Sequence, residues 1–150
     1  MTTRVRPADI LLVEDDPGDE LMTIEAFEEH GIGSTLHVAR DGKEALDFLF
    51  RRGEHLHAPR PDLILLDLNL PKYSGRQVLS SIRADADLAT IPVVILSTSS
   101  AQDDIVTCYR MFANAYVTKP TDLDDYTNAV ARIDEFFAQL AQLPHRPGRS

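Results

Sequence analysis

Three short apolar runs constrain the fold of this chain more than any other feature of its sequence. They are Ile10–Val13, Leu63–Leu66 and Val93–Leu96, and a polar residue directly follows each one. A run of four apolar residues without alternation is typical of a strand that is buried on both faces, as in a parallel sheet. The runs are too short for a membrane-spanning helix, which needs about 20 apolar residues. We therefore expect a parallel sheet and no membrane segment or secretory signal.

Two further strands and four helices are predicted from weaker patterns. Leu36–Ala39 alternates between apolar and polar side chains, which indicates an exposed face or an edge position, and Ala115–Val117 predicts a short fifth strand. The segments between the strands carry apolar residues near the helical period of 3.6. The residues that mark the four helices are Leu21, Ile24 and Phe27; Ala45, Leu46 and Leu49; Val78, Leu79 and Ile82; and Ile105, Tyr109 and Phe112.

A fifth helix has the clearest apolar stripe. Asp122 is its predicted N-cap, because an aspartate side chain accepts hydrogen bonds from amides of the first turn. Pro144 ends the pattern. The stripe consists of Tyr126, Val130, Ile133, Phe137 and Leu140.

Strand and helix therefore alternate five times, which predicts a doubly wound α/β fold with helices on both faces of a five-stranded parallel sheet. We expect the flavodoxin-like strand order 2-1-3-4-5. The chain of 150 residues has room for one domain. We assign this domain to residues 8–143 and expect flexible termini at residues 1–7 and 144–150.

Composition narrows the classes of function. The formal net charge of −9 has the wrong sign for a protein that coats nucleic-acid phosphates, so we expect no nucleic-acid partner. The single cysteine, Cys108, cannot form an internal disulfide and is expected to be a packing thiol. These features and the missing membrane signals predict a cytoplasmic protein.

The residues that end four of the predicted strands carry the chemistry. Ligands of doubly wound folds bind outside the carboxyl ends of the strands, and all of these ends meet at one edge. Several carboxylates there need counter-charges, and their hard oxygen ligands suit Mg²⁺. The residues at these ends are Glu14-Asp15-Asp16, Asp67-Leu68-Asn69, Ser97-Thr98 and Thr118-Lys119-Pro120.

A carboxylate between Mg²⁺ and an ammonium group can act as a nucleophile toward phosphorus. Both cations neutralise charge on the oxygens of the transferring phosphoryl group. Asp67 and Lys119 fit these two positions, and the Ser97 hydroxyl could bind the product. Taken alone, the acidic run after the first strand is also compatible with a solvated loop, and Ser97 with an ordinary helix-capping loop.

The spacing of these residues resembles that of response-regulator receiver domains over roughly residues 8 to 140. The resemblance implies that Asp67 is the phosphoacceptor for a sensor histidine kinase, and that Lys119 contacts the phosphoryl oxygens. It also implies that Ser97 moves toward the phosphoryl group and that the rotamer of Tyr116 follows. For Mg²⁺, it implies a direct contact from Asp15, a water-mediated contact from Glu14 and the backbone carbonyl of Asn69.

The resemblance further implies two structural features, a cis Lys119–Pro120 bond and a glycine, Gly75, in the loop that leads into the third helix. Three positions depart from the commonest pattern of the family. Glu14 replaces an aspartate and Ser97 replaces a threonine. Thr98 stands where a smaller residue is frequent, and we hypothesise that its bulk restricts water and slows loss of the phosphoryl group.

The chain further resembles stand-alone regulators that are paired with phytochrome-type, light-sensing histidine kinases. The segments that carry this resemblance are a long connection at residues 50–61, residues 13–19, residues 40–42 and the closing residues 136–144. We expect a phosphorylation switch without an effector domain and without a turnover substrate, whose output is a contact with another protein. Phe136 lies off the main stripe of the fifth helix and pairs with Leu140 and Leu143 on an adjoining face. We expect a homodimer or partner contact through the fourth helix, fifth strand and fifth helix, with a folded-back tail as the alternative.

Three other functions stay open at this point. A degenerate receiver would act as a binding module without phosphorylation. A phosphatase of the haloacid-dehalogenase type also uses an aspartate nucleophile with Mg²⁺, but it places Asp-x-Asp after its first strand and needs a second carboxylate, where this chain has Asn69. An FMN-binding flavodoxin shares the fold, but its first strand leads into a phosphate loop that Glu14 and its acidic neighbours would not form.

Overall fold

Five strands and five α-helices alternate along the chain, as the sequence predicts. The structure is a computed structural model that describes residues 8–30, 34–140 and 143–144. Short 3-10 turns lie at Gly53–His55 and Leu88–Thr90. The elements are β1 (Asp9–Val13), α1 (Pro17–His30), β2 (Thr35–Ala39), α2 (Gly42–Phe50), β3 (Leu63–Leu66), α3 (Gly75–Ala84), β4 (Val93–Ser97), α4 (Gln102–Arg110), β5 (Ala115–Thr118) and α5 (Leu123–Asp134).

All five strands are parallel, and the sheet has the predicted order β2-β1-β3-β4-β5. The three central strands β1, β3 and β4 are almost completely buried, because helices cover both faces of the sheet. The edge strand β2 is half exposed, as its alternating pattern predicts. Val13 is paired with Leu66 and Ser97 with Thr118, so the residues after these positions meet at one edge of the sheet.

The core has two layers, one on each face of the sheet. Successive residues of a strand point to opposite faces, so each central strand contributes to both layers. Leu11 and Ile64 pack with α2 and α3 on one face, and Ile10 and Leu65 pack with α1 and α5 on the other. No helix within the described part of the chain is both long and apolar enough to span a membrane.

Two of the predicted helical stripes match the buried faces only in part. In α1, Leu21 is exposed and the buried residues are Thr23, Ala26 and Phe27. In α4, Tyr109 and Phe112 are exposed and Cys108 is the buried residue, as expected for a packing thiol. The helix α4 packs beside the edge strand β5. Because β5 is only half buried, few apolar residues of the sheet lie beneath α4. In α2 and α3 the marking residues are buried apart from the half-buried Leu46, and in the stripe of the fifth helix Tyr126, Val130 and Ile133 are buried while Phe137 is half buried.

The fifth helix changes its geometry after Asp134. Asp122 caps it as predicted, since its Oδ2 accepts a hydrogen bond from the Asp125 amide at 3.1 Å. Residues Glu135–Leu140 form a π-helical segment. The prediction of α-helical spacing is therefore wrong for residues 135–140, because i→i+5 bonding changes which residues share a face. The predicted flexible termini lie almost entirely outside the described residues.

One arginine joins three segments near the other end of the sheet. The Arg83 guanidinium at the end of α3 donates to the carbonyl oxygens of Ala89 and Ile91 at 3.0 and 2.9 Å. It also donates to the carbonyl oxygen of Phe112 at 2.8 Å and to the side chain of Asn114 at 2.9 Å. Arg83 therefore ties α3 to the start of β4 and to the corner between α4 and β5.

Candidate functional site

The backbone brings three charged residues from different strands to the carboxyl edge of the sheet. Each follows its strand and continues the ladder by one more hydrogen bond. Glu14 N donates to Ala39 O at 3.0 Å, Asp67 N to Val13 O at 3.1 Å and Lys119 N to Ser97 O at 2.7 Å. Glu14, Asp67 and Lys119 are all buried. Their side chains are therefore held by the sheet itself and not by mobile loops.

The Lys119 ammonium lies at the centre of this group and contacts three carboxylates. Its Nζ donates to Glu14 Oε1 at 2.7 Å, to Asp19 Oδ2 at 2.8 Å and to Asp67 Oδ2 at 3.0 Å. An ammonium group has three N–H donors, so these contacts use all of them. We call Glu14, Asp15, Asp19, Asp67 and Lys119 the acidic cluster. Its buried negative charges are compensated through this one lysine.

Three members of the acidic cluster could hold a metal ion. Glu14, Asp15 and Asp67 each offer a carboxylate oxygen, and these atoms lie within 4.8 Å of one another. Asp15 is exposed, which leaves room for water ligands, while the other two are buried. Hard oxygen ligands combined with water are the coordination that Mg²⁺ prefers. The residues present therefore fit the divalent metal that the sequence predicts.

Burial and neighbouring charges shift the pKa values of the acidic cluster in opposite directions. Burial raises the pKa of Glu14 to about 7, although the hydrogen bond and charge of Lys119 act against this shift. Burial also acts to lower the pKa of Lys119, but the hydrogen bonds of Asp19 and Glu14 outweigh it and raise the pKa above its ordinary value. Lys119 is therefore an ammonium group at neutral pH, and Glu14 titrates close to neutrality.

The loop after β3 fixes the direction of the Asp67 side chain. Asp67 Oδ1 accepts a hydrogen bond from the Asn69 amide at 3.1 Å, which closes a local turn. Gly75 N donates to Leu68 O at 2.9 Å, and a Cβ atom at Gly75 would lie 2.2 Å from Asp67 O. Only glycine allows this close approach, so Gly75, the first residue of α3, lies directly against the Asp67 backbone.

The predicted switch residues are connected to the loop between β4 and α4. The buried Ser97 Oγ accepts a hydrogen bond from the Ser99 amide at 3.1 Å. Tyr116 is half buried, and its hydroxyl donates to Ser99 O at 2.8 Å. Ser97 and Tyr116 are therefore both hydrogen-bonded to Ser99.

The bonds of Ser99 continue into two helices. Its hydroxyl donates to Asp104 Oδ2 in the first turn of α4 at 2.6 Å. Asp104 Oδ1 in turn accepts from the Arg76 guanidinium of α3. We call Ser97, Ser99, Asp104, Arg76 and Tyr116 the Ser99 network.

Sequence reasoning did not find four of these residues. Asp19 belongs to the acidic run after β1, but nothing in that run identifies which carboxylate reaches Lys119. Ser99, Asp104 and Arg76 carry no spacing signal of their own, since their contacts depend on the packing of α3 against α4.

One implied feature is wrong. The Lys119–Pro120 bond is trans, not cis. For a bond that precedes proline, the trans form is lower in energy by about 0.5 to 1 kcal/mol unless the fold demands otherwise. Here Lys119 reaches its three carboxylates with the trans bond, so the contacts do not require the cis form.

The predicted interface residues lie outside this site. Phe136 is exposed and packs edge-to-face on Phe137, with ring centroids 5.0 Å apart. The side chain of Leu140 lies outside the described residues, and Leu143 is half buried. The prediction assumes that these residues continue the α-helical spacing of the fifth helix. Because Glu135–Leu140 is π-helical, this assumption does not hold for Phe136 and Leu140.

The sequence matches a known domain family over most of its length. The response regulator receiver domain matches residues 10–131. This chain therefore belongs to the response regulator receiver domains, which are modules of phosphorylation-based signalling and not classical enzymes. Members of this family are phosphorylated by histidine kinases and bind divalent metal ions. The phosphatase and flavodoxin alternatives are excluded.

Among its relatives, the chain is similar to response regulator Rcp1 of Synechocystis sp. (strain ATCC 27184 / PCC 6803 / Kazusa). The two are 44% identical over 138 residues, which cover 92% of this chain and 94% of Rcp1. The solved Mn²⁺-bound form of Rcp1 has a TM-score of 0.88 at 43% identity and covers 93% of this chain and 100% of its own. The phosphorylated cyanobacterial phytochrome response regulator RcpA has a TM-score of 0.89 at 44% identity, covering 93% and 99%. The chain is thus homologous to phytochrome response regulators.

Proposed function

We propose that this chain accepts a phosphoryl group on Asp67 from a sensor histidine kinase, in a reaction that requires Mg²⁺. One observation carries the proposal. The Asp67 carboxylate accepts a hydrogen bond from the Lys119 ammonium at 3.0 Å and also offers an oxygen to the potential metal site that it shares with Glu14 and Asp15. A carboxylate in contact with both a fixed cation and a divalent-metal site is equipped to attack phosphorus.

The transfer follows from this geometry. An Asp67 carboxylate oxygen forms a bond to phosphorus, and the bond from phosphorus to the donor imidazole nitrogen breaks. The electron pair of the broken bond stays on that nitrogen, which is thereby neutral imidazole or takes up a proton from water. Mg²⁺ held by Glu14, Asp15, Asp67 and the backbone carbonyl of Asn69 would neutralise charge on the transferring oxygens. Lys119 keeps its proton throughout and binds the same oxygens.

The signal would leave the site through the Ser99 network. Ser97 Oγ is bonded to the Ser99 amide, so its movement toward a phosphoryl oxygen requires the exchange of this bond. Tyr116 is bonded to the carbonyl of Ser99, and it responds to the same change. The surface formed by α4, β5 and α5 then shifts in population toward an active form.

The partner we propose is a phytochrome-type histidine kinase in the cytoplasm. The supporting observation is the similarity to RcpA and Rcp1 over nearly the whole length of both relatives. We further propose a homodimer that uses Phe136, Leu140 and Leu143 beside α4 and β5. The exposure of Phe136, Tyr109 and Phe112 supports an apolar contact on this side of the molecule.

The first experiment measures the intact mass of the protein after incubation with Mg²⁺ and acetyl phosphate. We expect one phosphoryl adduct in the wild type, loss of the adduct with chelator and no adduct in Asp67→Asn. The matched control is Asp103→Asn, which removes one exposed carboxylate outside the site and should retain the adduct. If the wild type forms no adduct, even with candidate kinases, the chain is a degenerate receiver that acts as a binding module.

The second experiment tests the partner and the dimer. Transfer from a labelled phytochrome-type kinase should be faster than transfer from an unrelated histidine kinase. Sedimentation of the phosphorylated protein should give a dimer that Phe136→Ala weakens and that Leu56→Ala, another exposed apolar side chain, leaves intact. A strict monomer in both phosphorylation states would contradict the dimer.

The third experiment concerns the lifetime of the phosphoryl group. Thr98 is exposed beside Ser97, and we propose that its bulk restricts the attacking water. Thr98→Ala should therefore speed the loss of phosphate, measured by the decay of the adduct after removal of the donor. An unchanged decay rate would show that the steric argument is wrong.

A further inference from the structure

Asp19 binds the lysine of the acidic cluster without belonging to its metal-ligand group. Its Oδ2 lies 2.8 Å from Lys119 Nζ, which is as close as the other two carboxylate contacts of that lysine. The three potential metal ligands are Glu14, Asp15 and Asp67, and Asp19 is not among them. Asp19 comes from the first turn of α1 and is therefore held by a helix.

The donors of Lys119 are limited. Its three N–H groups already have three acceptors, and only about one-twentieth of its side chain is exposed. A phosphoryl oxygen can bind Lys119 only when one of these acceptors releases it. Glu14 and Asp67 are also potential metal ligands, whereas Asp19 is not. The bond from Lys119 to Asp19 is therefore the one of the three that serves only to hold Lys119.

The negative charge of Asp19 also opposes the binding of a phosphoryl group to Lys119. A phosphoryl group adds negative charge next to Lys119. Asp19 places a full negative charge on the same ammonium, and two anions that share one cation repel each other. Asp19 therefore disfavours the approach of the phosphoryl group both as a competing acceptor and as a like charge.

We propose that Asp19 is a positioning residue that competes with the incoming phosphoryl group for Lys119 and so limits the rate of phosphorylation at Asp67. The inference depends on the function proposed above for Asp67. Asp19 does not touch the reacting atoms, and it acts only through Lys119. Removing its charge should therefore accelerate the transfer, whereas damage to the site would slow it.

The test compares initial rates of phosphorylation by acetyl phosphate with Mg²⁺, followed by intact mass. Asp19→Asn keeps a side-chain oxygen near Lys119 but removes the charge, and we expect a rate about two- to fivefold above wild type, the scale of one partly screened charge pair. Asp19→Glu restores the charge and should return the rate to the wild-type value. Calorimetry should give a Mg²⁺ dissociation constant within twofold of the wild-type value in both variants. A larger change would correspond to more than about 0.4 kcal/mol of binding free energy.

Glu20→Gln is the matched control. It removes one carboxylate at the next position of α1, but Glu20 pairs with Arg40 rather than with Lys119. Its rate should equal that of the wild type. An Asp19→Asn rate at or below wild type, or an equal acceleration in Glu20→Gln, would overturn the inference. The absence of any adduct in the wild type would instead overturn the proposed function.

Discussion

The acidic cluster and the Ser99 network lie at the same edge of the sheet but are stabilised in different ways. In the acidic cluster, Lys119, Glu14 and Asp67 are buried and joined by charge-assisted bonds that involve full charges. In the Ser99 network, Arg76 and Asp104 keep roughly two-fifths and one-third of their side chains exposed. Water can replace the hydrogen bonds of the Ser99 network with little change in free energy. Breaking the ion pairs of the acidic cluster would leave buried charges unpaired, which costs much more free energy.

This difference matches the two tasks of a phosphorylation switch. Phosphoryl transfer needs groups that are already in place, because their reorganisation would add to the barrier. A conformational response needs bonds that can be exchanged when a new charge appears. The buried region therefore suits the chemistry, and the partly exposed region suits the response.

The largest effect is expected from removing the central cation. Lys119→Met leaves Glu14 and Asp67 buried without their counter-charge, so we expect the free energy of unfolding without metal to fall by about 3 to 5 kcal/mol. Mg²⁺ should recover part of this loss by supplying the missing positive charge. Urea unfolding with chelator and with Mg²⁺ measures both values.

Lys72→Met is the control for this prediction. Lys72 is largely exposed and pairs with Asp41 at 3.4 Å, so the change should be below about 0.5 kcal/mol. Equal destabilisation by the two variants would mean that the buried pairs of Lys119 are no stronger than surface pairs, and the contrast between the two regions would be lost.

A smaller effect is expected from the loop that carries Asp67. In Gly75→Ala the new methyl group would lie 2.2 Å from Asp67 O, so the loop must shift. We expect a destabilisation of about 1 to 3 kcal/mol, as for other overpacked sites, together with slower phosphorylation. Gly53→Ala is the control, since its Cβ would meet no atom within 4 Å and only its positive φ introduces strain. A normal phosphorylation rate in Gly75→Ala would show that Asp67 tolerates the shift.

The protonation of Glu14 predicts a pH dependence of metal binding. Its pKa of about 7 means that the side chain takes up a proton as the pH falls through neutrality, and a protonated carboxyl is a poor metal ligand. Mg²⁺ affinity should therefore decrease by up to about tenfold from pH 8 to pH 6, a range in which an ordinary carboxylate stays ionised. Calorimetric titrations at the two pH values, on the wild type and on Glu14→Gln, measure this. A similar decrease in the variant would assign the effect to another group.

The smallest effect on stability is expected in the Ser99 network. Asp104→Ala removes the acceptor of Ser99 Oγ and the partner of Arg76, yet we expect less than about 1 kcal/mol of destabilisation because both bonds are partly exposed. Amide hydrogen exchange in the loop between β4 and α4 should nevertheless become faster. Asp103→Ala, at the exposed neighbouring position, should leave this exchange unchanged. Protection that stays the same in Asp104→Ala would mean that the network does not hold the loop.

The sequence was sufficient to predict the sheet, its strand order and the residues at the ends of its strands. Buried parallel strands have an apolar pattern that few other structures share, and the geometry of the sheet then brings Glu14, Asp67 and Lys119 together. The charged centre of the site could therefore be predicted from one sequence.

The remaining details depend on packing that a linear pattern does not contain. Apolar spacing predicts a helix, but whether Tyr109 is buried depends on how much of the sheet its helix covers. Asp19 was one acidic residue among several until the orientation of α1 brought it to Lys119. The π-helical segment and the trans Lys119–Pro120 bond are local backbone conformations for which the sequence carries no spacing signal.

The hydrogen bonds of Arg83 have a mechanical consequence for α4. Its carboxyl end is anchored through Phe112 to α3 and to the start of β4, whereas its amino end is joined to the Ser97 side chain through the partly buried hydrogen bonds of Ser99 and Asp104. The two ends of α4 are thus held unequally, the carboxyl end by a guanidinium that bridges three segments and the amino end by hydrogen bonds that water can replace. A rearrangement at Ser97 would therefore loosen the amino end of α4 before its carboxyl end, in a helix whose exposed face carries Val106 and Tyr109.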